Sequence, residues 1–149
     1  MRPNKDGDVV TAPKPARPLP QPRGEERRYF SDLREHRMPF YRCAACLQVF
    51  ARPRERCTEC GASPIERQWS TGEGVVYSYT TLQRAGHPWF ADGVPYTIAL
   101  VDFVEGFRGL ADLAPLAYGP DPYIGQSVRV EFEDLSDEIA LAHFVAVGN

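Results

Sequence analysis

The sequence predicts a mainly-β protein: a short N-terminal helix, a four-cysteine metal lobe, then a small closed barrel of five strands. Three observations carry this. All four cysteines fall between Tyr41 and Gly61, as two C-x2-C pairs. From Gly72 onward, apolar and polar residues alternate with period two in short runs bounded by turn residues. Before the cysteines, one stretch repeats apolar residues at helical spacing.

Taken in order, residues 1–22 hold six prolines and almost nothing to bury, and read together with Arg23 as a flexible, extended arm. Residues 24–38, GEERRYFSDLREHRM, read as an amphipathic helix. Glu25 and Glu26 suit the positive end of its dipole, and Tyr29, Phe30, Leu33 and either Arg37 or Met38 share a face. Pro39 is expected to end it. So short a helix is marginal alone and must dock, either on its own domain or in a partner subunit. The cysteine lobe occupies 40–69, and the barrel 70–149. Its expected strands are 74–82, 95–103, 107–113, 127–133 and 139–147, with a tight turn at Glu105–Gly106 and longer loops at 83–94 and 114–126. In 127–133, Val128, Val130 and Phe132 face inward while Arg129, Glu131 and Glu133 face outward. Five short strands without a long helix suit an OB-like barrel better than a sandwich.

Charge narrows the function. The net charge of −3 divides unevenly: ten arginines against seven acids over 23–67, but three arginines against eleven acids over 68–149. A barrel at −8 (3 − 11) is a poor partner for polyphosphate, which disfavours nucleic acid. No stretch approaches the roughly 20 apolar residues of a membrane span, and the N-terminal arm lacks a signal-peptide core. A cytoplasmic location, with reduced thiols, is the expectation; the cysteines then read as metal ligands before disulfides.

Cys43, Cys46, Cys57 and Cys60 fit C-x2-C-x10-C-x2-C. Two such knuckles facing each other give tetrahedral S4 coordination, which suits one structural zinc and also serves a single iron; a redox dithiol is the third reading. Four thiolates leave no open position, so a structural site is expected rather than a catalytic one. Arg42, Arg52, Arg54 and Arg56 cluster on the knuckles. They either balance the −2 charge of zinc with four thiolates or meet a phosphate-bearing ligand. His36, His87 and His143 stand beside no nucleophile-like residue, and no G-x-S-x-G, phosphate loop or H-E-x-x-H occurs. His87, Trp89 and Phe90 in the 83–94 loop read as packing or partner anchors.

One order of motifs is specific. An aromatic-bearing helix precedes C-x2-C; Pro53–Arg54, Cys57-x-x-Cys60-Gly61, Trp69 and the G-x-G of Gly72 and Gly74 follow; then VVYSYT, PYTIALVDF, Ile124–Gly125 and VRVEFE. Over 25–147 this resembles the zinc-ribbon and OB-fold proteins catalogued as domain of unknown function thirty-five. The resemblance implies a rubredoxin-like zinc ribbon joined to an OB barrel. It also implies an accessory subunit of acyl-CoA enzymes, beside thiolase-fold partners such as thiolases, acyltransferases and the aldolases that shorten steroid side chains. In such assemblies the partner carries catalysis, and the accessory chain supports it, shapes the acyl-CoA passage or bridges to another enzyme. No catalytic residue carries over; the four zinc ligands do. Two departures stand out: Leu47 where knuckles commonly have glycine, which predicts a less regular first turn, and Ala51–Arg52 where the family often has an aromatic and a proline. The expected function is thus a non-catalytic subunit of a thiolase-fold complex acting on acyl-CoA. Its expected interface is Tyr29, Phe30, Leu33, Met38, Phe40, His87, Trp89 and Phe90, with the knuckle arginines near the CoA phosphates. The alternative is a nucleic-acid-binding ribbon/OB module.

Overall fold

The computed structural model describes residue 13, residues 15–114 and residues 121–148; residues 115–120 of the loop expected over 114–126 lie outside the described residues, as does most of the arm. Helix α1 (Glu26–Arg34) buries Tyr29 and Leu33. It stops before the expected Met38, and Pro39 is not what stops it. The chain leaves the helix through His36, whose φ of 56° is left-handed. The His36 N–H donates to the Leu33 carbonyl at 2.9 Å, and the Arg37 N–H to the Asp32 carbonyl at 3.0 Å. This is a Schellman ending with histidine in the usual glycine position. It turns Arg37 onto Trp69, the guanidinium carbon 3.4 Å from the ring centroid.

The freed residues 39–43 become a strand instead. β1 (Pro39–Cys43), β2 (Val49–Phe50) and β3 (Ile65–Trp69) form an antiparallel sheet in the order β2–β1–β3. β4 (Glu73–Leu82), β5 (Tyr96–Phe103), β6 (Arg108–Ala114), β7 (Ser127–Asp134) and β8 (Ala140–Ala146) follow the expected runs to within two residues. They close a barrel in the order β4–β5–β6–β8–β7, antiparallel except where β6 meets β8. The 83–94 loop contains a 3-10 turn, Pro88–Gly93, started by His87: its Nδ1 accepts from the Trp89 N–H at 3.1 Å.

One core runs through both sheets. Phe40 of β1 stacks on Phe107 at 5.3 Å, Phe107 stacks on Phe103 of β5 at 4.3 Å, and Phe103 meets Phe144 of β8 at 5.9 Å. Gly109 makes room for this column, since a Cβ there would lie 2.9 Å from the Phe103 ring. At the junction of the two sheets, Glu105 accepts from the Ser70 hydroxyl at 2.8 Å and from the Thr71 N–H at 2.7 Å. The β5–β6 turn thereby clamps the link from ribbon to barrel. α1 sits over β7 and β8, with Asp134 taking Arg34 at 3.0 Å and His36 at 2.9 Å. Those contacts, His36 first, hold the Asp134 carboxyl below its usual range.

Candidate metal centre and its surroundings

The two knuckles are built alike. In the first, the Leu47 N–H donates to the Cys43 carbonyl at 3.0 Å and the Cys43 N–H to the Gln48 carbonyl at 2.9 Å. In the second, Gly61 donates to Cys57 and Cys57 to Ala62, both at 3.0 Å. Each closes through a left-handed residue, Leu47 at φ 65° and Gly61 at φ 72°. The less regular first turn expected of Leu47 does not occur: the hydrogen bonds are retained, and leucine adopts the conformation that glycine reaches without steric cost.

The four sulfurs lie within 4.8 Å of one another. Cys43 Sγ to Cys60 Sγ is 3.7 Å, and Cys46 Sγ to Cys57 Sγ is 3.5 Å. A tetrahedral zinc–thiolate site, with bonds near 2.3 Å, needs sulfurs about 3.8 Å apart, so the donor set fits such an ion. Backbone amides serve the sulfurs too; the Glu59 N–H donates to Cys57 Sγ at 3.4 Å. The Cys46 and Ala45 amides, the former most strongly, bring the Cys43 thiol down to about 7. The Gln48 amide favours the Cys46 thiolate, but burial and the other three sulfurs outweigh it and push that thiol to about 12. Four sulfurs this close cannot all ionise without a cation among them. Cys43 and Cys57 are buried; Cys46 and Cys60 are exposed.

Three of the four knuckle arginines lie on rings, and Arg52 also lines a cavity of about 400 Å³ beside Tyr29, Leu33 and Leu100. Arg52 sits 4.2 Å over Tyr29, Arg54 4.1 Å over Phe50, and Arg42 5.8 Å over Phe40. Arg42 and Arg54 are half-buried, and Arg52 and Arg56 exposed. Arg56 bonds the Gly61 carbonyl at 3.3 Å. Of the residues expected at a partner interface, Tyr29, Leu33, Met38 and Phe40 are buried within this chain, while Phe30, His87, Trp89 and Phe90 are half-buried.

Three features went unread in the sequence. Asp32, buried at the α1–β1 boundary, accepts from Arg67 at 2.9 Å. Burial, only partly offset by Arg67, raises its carboxyl. The neighbouring Tyr41 phenol is pushed to about 12, by burial and then by Asp32. Asp32 Oδ2 and Tyr41 Oη are buried with no hydrogen-bond partner among the described residues. The Glu105 clamp is the second. Arg17 is the third: its Nη1 and Nη2 donate to the two Glu133 carboxylate oxygens, at 2.8 and 3.1 Å. Helical spacing could have flagged Asp32, three positions from Tyr29 on the apolar face. Arg17 and Glu105 leave no local signal.

A four-cysteine ribbon packed on a five-stranded OB barrel defines the class of protein. The family model described as the C-terminal OB-fold domain of ChsH2 matches residues 68–133. Over 145 residues the chain is 32% identical to a protein of Thermomonospora curvata named "Probable enoyl-CoA hydratase alpha subunit", spanning 97% of this chain but 44% of that one. It is 29% identical over 99 residues to a "DUF35 domain-containing scaffold protein" of Methanothermobacter thermautotrophicus, covering 65% of this chain and 72% of that one. Among solved structures, a chain of the Ltp2-ChsH2(DUF35) aldolase superposes with a TM-score of 0.74 at 29% identity, over 86% of this chain and 98% of that one. A DUF35 protein of Sulfolobus solfataricus shares the fold, with a TM-score of 0.58 at 20% identity over 80% of this chain and 83% of that one. Residues 68–133 thus carry a ChsH2-type C-terminal OB-fold domain, and the chain as a whole is similar to DUF35 proteins. Among the described residues, no helix is long and apolar enough to cross a membrane.

Proposed function

We propose that this chain is a non-catalytic accessory subunit of a thiolase-fold enzyme complex acting on acyl-CoA thioesters, with an aldolase as the favoured partner. The observation that carries this reading is the superposition on nearly the whole length of a chain from the Ltp2-ChsH2(DUF35) aldolase. The relative named as an enoyl-CoA hydratase subunit supports an acyl-CoA setting, although the chain spans less than half of its length. Steroid side chains and aromatic acids are the substrate classes the resemblance favours. The four cysteines hold one structural zinc, for which the sulfur spacing is the support.

Within this reading the knuckle arginines divide by exposure. Arg42 and Arg54, half-buried on Phe40 and Phe50, balance the thiolate charge. Arg52 and Arg56, exposed, face the CoA phosphates. The half-buried Phe30, His87, Trp89 and Phe90, together with the arm residues packed on Phe30, Trp89 and Phe90, carry the partner contact. Affinity capture of the full chain from its native host, followed by mass spectrometry and an acyl-CoA cleavage assay, tests the reading. A thiolase-fold protein is expected to co-purify and to lose activity when stripped of this chain. Recovery of no such protein, or a partner fully active alone, overturns it. In the complex, Arg52→Ala with Arg56→Ala is expected to raise KM about tenfold for a CoA thioester and leave the pantetheine thioester unchanged, the loss of a charge-assisted contact. An equal effect on both refutes the phosphate role. The outward face of β7, where Arg129 pairs with Glu131 at 2.6 Å and Glu133 adds a second carboxylate, disfavours a nucleic acid.

A further inference from the structure

Residues 15–22 lie against the body of the protein instead of trailing from it. Four of the eight are prolines, which have no amide to donate, and the segment joins neither sheet as a strand. Side chains hold it. Arg17 presents its fork to the Glu133 carboxylate at 2.8 and 3.1 Å and lays its guanidinium 4.7 Å from the centroid of Trp89. Its side chain is only 25% exposed. Arg17 and Pro18 cover a cavity of about 600 Å³ lined by Trp89, Phe90, Tyr96, Ile98 and Leu141, with Asp112 at its edge. Leu19, Pro20 and Pro22 continue past Phe30 to the start of α1.

These are the components of a known physical mode of peptide recognition. Aromatic and aliphatic side chains form a groove for prolines, whose backbone is stiff and loses little entropy on docking. A carboxylate at the end of the groove takes the arginine fork, and an indole face adds a cation–π contact. Here the 3-10 turn supplies the indole, β7 the carboxylate, and the outer faces of β5 and β8 the floor. We infer that this face of the barrel is a recognition groove for an extended segment bearing arginine followed by proline, and that residues 15–20 are its tethered, replaceable occupant. The arm binds its own groove at high effective concentration, so a second segment of the same chemistry gains access only by displacing it. The acyl-CoA reading is not needed for this inference.

The test uses the full chain labelled with 5-fluorotryptophan, whose two tryptophans give separate fluorine resonances. Trp69 on β3, stacked by Arg37 and Arg67 instead of the arm, reports the fold; Trp89 reports the groove. The probe is the peptide PARPLPQP, residues 15–22, with its arginine-to-alanine counterpart as control. In Arg17→Ala the Trp89 resonance is expected to move, and added PARPLPQP to return it saturably to its wild-type position. Wild-type protein should bind the peptide at least about tenfold more weakly, because its own arm is already there. The alanine peptide should bind neither, and Glu133→Gln should bind neither peptide. The inference is overturned if Arg17→Ala ignores the peptide, takes both peptides equally, or binds no better than wild type. Should Arg17→Ala lose the Trp69 resonance and prove unfolded, wild-type protein at high peptide concentration decides instead: a Trp89 shift with PARPLPQP but not with the alanine peptide supports the groove, and any other pattern removes it.

Discussion

Leu47 shows how a single residue can depart from its motif without breaking it. The first knuckle needs a left-handed residue to bring the next amide back toward the sulfurs, and leucine adopts it at a steric cost of about 1–2 kcal/mol. Its side chain is 62% exposed, so little packing offsets that cost. Leu47→Gly is therefore expected to stabilise the protein by about 1 kcal/mol, read as a rise in the denaturant midpoint at unchanged slope. Tyr41 is a second case. Its phenol is raised to about 12 from an ordinary 10, so the folded state favours the neutral form. That contribution is intact below about pH 10 and is lost as pH rises toward 12. Alkaline titration should show Tyr41 ionising together with loss of near-UV dichroism, and Tyr41→Phe should retain more of that signal.

At the scale of elements, each piece is stabilised by what it touches. α1 is too short to persist alone, and its fixed points are Asp32 on Arg67 and Asp134 on Arg34 and His36. Arg67→Ala leaves the buried Asp32 carboxyl without its partner and is expected to destabilise by about 2 kcal/mol; Asp32→Asn in the same background should restore part of it. The ribbon sheet has one two-residue strand, and an ion held by the four sulfurs, as proposed above, would supply much of its stability. Chelation is expected to release about one zinc per chain and to unfold residues 39–69, with hydrogen exchange rising there before it rises in β5 and β7. A protein that keeps its ribbon protection with no metal bound would count against the metal centre.

For the molecule as a whole, the column of Phe40, Phe107, Phe103 and Phe144 makes ribbon and barrel one folding unit. Phe107→Ala empties the middle of that column and should cost about 3–5 kcal/mol. It should also split one thermal transition into two, as ribbon and barrel come apart. Calorimetry decides, and a single transition in the variant would show that the Glu105 clamp alone suffices. The arm belongs to this scale too, since Arg17 and Glu133 are 116 residues apart in sequence.

Local chemistry was enough for the sequence to determine the metal knuckles, the five barrel strands and the Glu105–Gly106 turn. A C-x2-C turn, a period of two and a left-handed glycine are all decided among neighbouring residues. The helix was legible in its apolar face but not in its end. Residues 35–38 have no strong stop signal of their own, and β1 needs Pro39–Cys43 to pair with β3. Tertiary structure alone decided that Tyr29, Leu33, Met38 and Phe40 are interior, that Arg42, Arg52 and Arg54 lie on rings, and that residues 15–22 pack on the barrel. Each depends on a partner far along the chain. Whether an aromatic face meets its own barrel or another subunit is a question of contacts between distant residues, which no spacing records.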